Sequence, residues 1–147
     1  MKKPRNTAVA PLVDPMSGRL GYLLRRVSVL MMADLGARLE PTGLRPAEVT
    51  ILLLIGANPG CQQGEVGEML GIKRANMVPL ISGLVEKGLV DRARADGRSH
   101  ALSLTAKGRA SATMINKLLD RHETAFLAKL DRKALSGLLA ALEALRG

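Results

Sequence analysis

Between Cys61 and Leu104 the chain passes from a helical to a strand period, and this change limits the possible folds more than any other feature. Gln62 with Glu65 three residues later resembles a capping box, and Cys61 with Val66 is placed as the accompanying hydrophobic staple. A short helix is expected to begin there, and Gly71 is its stop signal. Ile72 to Lys87 reads as a second helix, ended by Gly88. Leu89 to Arg94 and Ser99 to Leu104 then take on strand character, and Asp96-Gly97 between them is a hairpin-turn pair.

Longer helices flank this unit. From Ser17, a candidate N-cap, to about Leu39, the residues Leu20, Leu23, Leu24, Val27, Leu30, Met31 and Leu35 repeat at helical spacing. The opposite side carries Tyr22, Val29, Met32 and Ala33, so the helix is apolar nearly all round and needs burial beyond what one small subunit supplies. Pro46 suits the first turn of a helix running to Ala57, which Asn58-Pro59-Gly60 stops. Thr105 caps a long helix to about Leu130 whose face includes Ile115, Leu118, Leu119, His122 and Phe126. A last helix aligns Leu135, Leu138, Leu139, Leu142 and Leu145.

The expected fold class is therefore mainly α with a small β-hairpin wing: a winged helix-turn-helix with N- and C-terminal dimerisation helices. Residues 1–16 hold Lys2, Lys3, Arg5 and three prolines (Pro4, Pro11, Pro15) without an apolar face, and are expected to form a mobile basic arm. Residues 17–147 are expected to be a single domain. Within it, 46–105 form the winged unit, and 17–40 and 106–147 the dimerisation helices.

Charge narrows the partners. The 147 residues carry 22 Lys+Arg against 13 Asp+Glu, a net charge of +9. Such an excess suits nucleic acid, an anionic membrane or an acidic protein. The longest apolar run, Val49 to Ala57, is far below the ~20 residues that span a bilayer. Pro11, Asp14 and Pro15 also interrupt any signal-peptide core, so a cytoplasmic protein with no membrane partner is expected. With Tyr22, Phe126 and no Trp, there are too few stacking platforms for single-strand binding. Cys61 alone cannot form an intrachain disulfide, and two distant histidines (His100, His122) make a poor metal cage. No catalytic motif or dinucleotide fingerprint is present, so neither catalytic residues nor a cofactor is expected, and no enzyme.

Lys73, Arg74 and Asn76 cluster at the start of the second helix of the unit, where side chains approach base edges in a major groove. Arg94 and Arg98 flank the hairpin tip, with Asp96 between them. The stretch Leu84-Val85-Glu86-Lys87-Gly88-Leu89-Val90-Asp91-Arg92, continuing as Asp96-Gly97-Arg98 and Leu102-Ser103-Leu104-Thr105-Ala106-Lys107-Gly108, resembles the multiple-antibiotic-resistance regulator (MarR) family. The resemblance runs from about Ser17 to the C-terminus. It implies a homodimer on pseudo-palindromic operator DNA, acting as a repressor released by a small anionic effector.

By position, the resemblance implies that Arg98 enters the minor groove, that Asp96 holds its guanidinium, and that Arg74 and Asn76 face the major groove. Pro79 departs from the family pattern in this helix, where it removes a backbone donor and should kink the chain unless the helix effectively begins near Asn76. For the effector, an aromatic acid or acyl-CoA thioester, the candidate residues are Tyr22, Arg25, Arg26, Met31 and His122.

Plainer readings stand beside these. Asp96 and Arg98 can be an exposed hairpin ion pair, His122 a hydrogen-bonded core or interface residue, and Arg25 and Arg26 solvated cations or partners of acids such as Asp34 across the dimer. Cys61 is either a small apolar residue or a redox switch, and the whole unit could be a protein-interaction module without DNA binding. The wing expectation is directly testable. Arg98→Ala should weaken operator binding by ~1–3 kcal/mol in a gel-shift titration, and Asp96→Ala should reproduce part of that loss.

Overall fold

A computed structural model describes residues 12–94, 100–128 and 130–147. The elements run α1 (Leu20–Leu39), a short 3-10 turn (Glu40–Thr42), α2 (Pro46–Ala57), β1 (Cys61–Gln62), α3 (Gln63–Leu70), α4 (Arg74–Glu86), β2 (Val90–Arg94), β3 (His100–Leu104), α5 (Ala106–Leu127) and α6 (Arg132–Arg146). The three strands form one antiparallel sheet in the order β1-β3-β2. Val90 pairs with Leu104, Arg92 with Leu102 and Arg94 with His100. The mainly helical fold with a small wing is the one the sequence implies.

Two helix starts, the end of α5 (Leu127 rather than about Leu130) and one strand differ from the sequence reading. Helix α1 starts at Leu20 with Arg19, not Ser17, as its extended N-cap. Ser17 is held in the preceding turn, where its hydroxyl donates to the Asp14 carbonyl (3.1 Å) and the Met16 N–H reaches Asp14 Oδ1 (2.9 Å). The side chain that could have capped α1 is thus engaged one turn early. Helix α4 begins at Arg74, two residues later than Ile72, because Gly71 turns left-handed (φ 64°) and Lys73 is still outside the helix. Strand β1 was not anticipated. Two residues show no period, and Cys61 and Gln62 become a strand only by pairing with Leu102 and Ala101.

Leu39, Ile51, Leu52, Ile55, Met77, Ile81, Leu84, Leu102 and Ile115 are fully buried and join α1, α2, α4, β3 and α5 in one core. Each such side chain contributes roughly 1.5–3 kcal/mol through burial. Helix α6 contributes no buried residue, although Leu138, Leu139, Leu142 and Leu145 line it. Leu20, Leu23, Leu24, Val27 and Leu30 of α1 are likewise exposed. The amphipathic capping expected at Thr105 is present: its Oγ1 accepts from the Gly108 N–H at 2.9 Å. Gly108 itself lies so close to β2 that an added Cβ would overlap the Leu89 carbonyl oxygen.

The end of α4 is a polar junction. Glu48 of α2, 4% exposed, accepts from Lys87 Nζ at 2.8 Å, and Lys87 Nζ also donates to the Gly43 carbonyl at 3.0 Å. Lys107 Nζ of α5 donates to the Lys87 carbonyl at 2.8 Å. Burial pushes the Glu48 carboxyl up, but the bonds from Lys87 and the Arg45 N–H, with both cationic charges, hold it below the usual carboxylate range. Because the folded value is the lower one, the stabilisation is complete above the unfolded value and is lost as pH falls through the folded one. Glu48→Gln should therefore flatten the acid side of the stability–pH curve in urea unfolding. Lys87→Met, which removes the nearer cation, should cost ~2–3 kcal/mol at neutral pH.

Candidate nucleic-acid interface

The helix-turn-helix is tight because two glycines make it so. A Cβ on Gly67 would stand 3.1 Å from the Ile72 carbonyl oxygen and 3.2 Å from Met77 Cγ, so any larger residue would push these neighbours back by a few tenths of an ångström. The left-handed Gly71 then turns the chain, and the Ile72 N–H donates back to the Gly67 carbonyl at 2.9 Å. At the other end of α3, Glu65 Oε2 accepts from the Gln62 N–H at 2.7 Å, the capping contact that the sequence spacing implies.

This turn presents the first turn of α4 to solvent. Lys73, Arg74 and Asn76 are all exposed there, while Met77 points into the core. The three residues singled out in the sequence are brought together. Pro79 sits exposed inside α4, which nevertheless runs unbroken to Glu86. Its missing N–H leaves the Ala75 carbonyl without its i+4 donor.

The sheet forms the second wall. Arg92 Nη2 of β2 donates to Ser82 Oγ of α4 at 3.3 Å, tying the strand to the helix. Between α3, α4 and the strands lies an open groove of about 1040 Å³, lined among others by Gln63, Lys73, Arg74, Arg92 and His100. Sequence reasoning passed over Arg92 and His100. The signal was available: Arg92 is two residues before Arg94, hence on the same face of a strand. Arg94 ends β2, and Asp96 and Arg98 lie outside the described residues.

The residues proposed for an effector fall into two groups along α1. Near its start, Tyr22 Oη donates to Asp14 Oδ2 at 2.8 Å, and Arg26 reaches the same oxygen at 3.5 Å while lying 5.6 Å from the Tyr22 ring. The Tyr22 and Met16 hydrogen bonds hold the Asp14 carboxyl below its usual range, with a smaller contribution from Arg26. Arg25 is exposed and Met31 half-buried. Farther along, buried His122 places Nδ1 2.8 Å from Asp34 Oδ2, which also accepts from Arg38 Nε at 2.7 Å. Those two bonds, Arg38 first, lower the Asp34 carboxyl. The acid that pairs with Arg26 is thus Asp14, whereas Asp34 pairs within this chain with Arg38 and His122.

None of the five lines the apolar cavity of about 680 Å³ between α1, α2 and α5. Met32, Leu35, Val49, Thr50, Leu53 and Leu119 are among the residues that do. Cys61 faces a different cavity beside Glu65 and Met69, where burial first and the Glu65 charge second push its thiol up. Among the described residues, no group of three or more His, Cys, Asp or Glu side chains could hold a metal ion. No described helix is long and apolar enough to cross a membrane.

The sequence profile of the MarR family matches residues 42–99, the turn and helices that carry this groove. The HTH-type transcriptional repressor Rv2887 of Mycobacterium tuberculosis is 31% identical over 113 residues, covering 76% of this chain and 81% of the relative. The chain belongs to the MarR family. Among solved structures, the transcriptional repressor CouR bound to a 23-mer DNA duplex superposes with a TM-score of 0.89 at 37% identity, over 94% of this chain and 100% of CouR. CouR bound to p-coumaroyl-CoA gives a TM-score of 0.84 at 36% identity, over 92% and 98% of the two chains.

This MarR-family winged helix-turn-helix carries a proline, Pro79, in the interior of the second helix of its motif. Pro79→Ala would restore the donor to the Ala75 carbonyl and relieve the ring's crowding at an exposed site. It should raise stability by ~1–3 kcal/mol, read as a higher urea midpoint with an unchanged slope.

Proposed function

We propose that the protein is a homodimeric transcriptional repressor that binds a pseudo-palindromic operator and leaves it when an organic anion binds. The observation that carries this reading is the polarity of the molecule. Cations line the groove between α3, α4 and the sheet, while the exposed leucines of α1 and α6 form the longest unburied apolar stripes, with single exposed residues such as Met69, Val78 and Met114 elsewhere. A charged face of this shape suits a duplex, and bare leucine stripes suit a second copy of the same helices. Segments 17–40 and 106–147 would supply the dimer contacts, residues 46–105 the DNA contacts, and the basic residues of 1–16 an arm toward the phosphates. Lys73, Arg74 and Asn76 would meet base edges and phosphates, with Arg94, Asp96 and Arg98 at the wing.

The effector reading moves along α1 from where the sequence put it. The cavity of about 680 Å³ has the size and apolar walls of a small-molecule site, with Thr50 as a polar group. CouR, in its complex with p-coumaroyl-CoA, accepts an aromatic acyl thioester, and the same class suits this cavity. Seven residues before Met32, Arg25 lies two turns away on the same side of α1, about 10 Å along the axis, within reach of a carboxylate or phosphate at the mouth. A ligand wedged between α1 and α2 would push the dimer helices away from the winged unit and change the spacing of the two recognition helices. The redox alternative at Cys61 is disfavoured, since a thiol pushed up by burial and a carboxylate is a poor nucleophile.

Two measurements test the reading separately. Binding to the DNA upstream of its own gene should fall steeply with salt, by ~1000-fold or more between 50 and 200 mM if six or more phosphates are contacted. A flat response would overturn the DNA-binding reading. Calorimetry with aromatic acids and p-coumaroyl-CoA should show binding that releases the duplex. Leu53→Trp, which fills the cavity, should abolish ligand binding while leaving DNA binding intact. Absence of any ligand binding would overturn the effector reading and leave the DNA reading standing.

A further inference from the structure

One face of the sheet changes character within three residues. Val90 and Arg92 lie on the same face of β2, which β3 continues with Leu104, Leu102 and His100. Val90 and Leu102 are buried and Leu104 is half-buried, so the first part of this face packs on the core. The next positions leave the core, and the face becomes cationic where it borders the groove. Arg92 and His100 are exposed and line one wall of the groove, while Lys73 and Arg74 line the other. Arg92 is held in place by Ser82 Oγ at 3.3 Å. A groove with cations on both walls takes an anionic strand between them.

We propose that Arg92 and His100 grip a phosphate of the duplex from the wing side, and that the His100 contact makes DNA affinity depend on pH. The proposal rests on the DNA-binding reading above. Imidazole is the side chain that ordinarily changes charge between pH 6 and 8. Neutral, it offers a phosphate one N–H; protonated, it offers two donors and a charge. The phosphate therefore selects the protonated form, and binding DNA draws a proton onto His100 as pH falls.

The charged groups that line the groove with His100 among the described residues are Lys73 just before α4, Arg74 of α4, Arg92 of β2 and Glu68 of α3, with Arg94 its register partner in the backbone and no ionisable side chain but Cys61 on β1. His122, the other histidine of the chain, does not line the groove and is buried against Asp34.

Fluorescence anisotropy of the full-length protein on a labelled random-sequence duplex, at fixed low salt, reads this contact without knowledge of the operator. The parent should bind about tenfold more tightly near pH 6 than near pH 8, the effect of roughly one pKa unit of coupling. His100→Gln should lose that difference and bind at both pH values like the parent near pH 8. His100→Lys, permanently charged, should bind at both like the parent near pH 6. Arg92→Gln should reduce the salt slope by about one phosphate contact. Retention of the pH dependence in His100→Gln, its absence in the parent, or an unchanged salt slope in Arg92→Gln overturns the corresponding contact. A parent that binds no duplex at either pH overturns the DNA-binding reading itself.

Discussion

The buried carboxylate of Glu48 and the ammonium of Lys87 organise the winged unit. The pair joins the start of α2 to the end of α4, and Lys87 extends the tie to the Gly43 carbonyl. The backbone beside it receives α5, through Lys107 Nζ on the Lys87 carbonyl and Thr105 Oγ1 on the Gly88 carbonyl at 2.7 Å. Four segments thus meet at the point where α4 hands over to the wing. An unpaired carboxylate could not be tolerated at such depth, so the position of α4 relative to α2 is set by charge pairing as well as by Ile51, Ile55 and Ile81.

Much of the architecture is readable in the sequence because its signals are local. Gly71 and Gly88 both adopt positive φ and end helices where expected, and Thr105 caps α5. What escaped was decided by partners. Ser17 is a good N-cap residue, yet Asp14 engages it first, and Arg19 enters the helix without a side-chain cap. Cys61 and Gln62 are a strand only because β3 lies beside them, which no window of two residues reveals. Pro79 argued for a kink or a later start. The helix instead absorbs the loss of one backbone bond at a solvent-exposed turn, held by Met77, Ile81 and Leu84 in the core.

The candidate DNA face divides the same way. Lys73, Arg74 and Asn76 could be found because a helix start after a tight turn is a local pattern, and the three residues do share one exposed turn. Arg92 and His100 become neighbours in one groove through strand pairing, although strand period alone would have put Arg92 beside Arg94. The effector residues were the hardest to place. Tyr22 and Arg26 belong to a cluster that fastens Asp14 to α1, and His122 to one that fastens α5 to α1 through Asp34. An apolar cavity formed by three helices leaves no periodic mark that distinguishes its lining from ordinary core.

Gly108 gives the long helix α5 a mechanical role. Its backbone rests directly against the Leu89 carbonyl, with no side chain between to compress or slide. The helix behind it spans 22 residues, about 33 Å. A pivot of some 5° about its far end would carry the near end by about 3 Å, close to the rise between neighbouring base pairs. Since Gly108 and Leu89 are in hard contact, such a displacement presses directly on the residue before β2. The protein thus has the geometry of a single arm, hinged at the far end of α5 and bearing at Gly108 on the residue that leads into the wing.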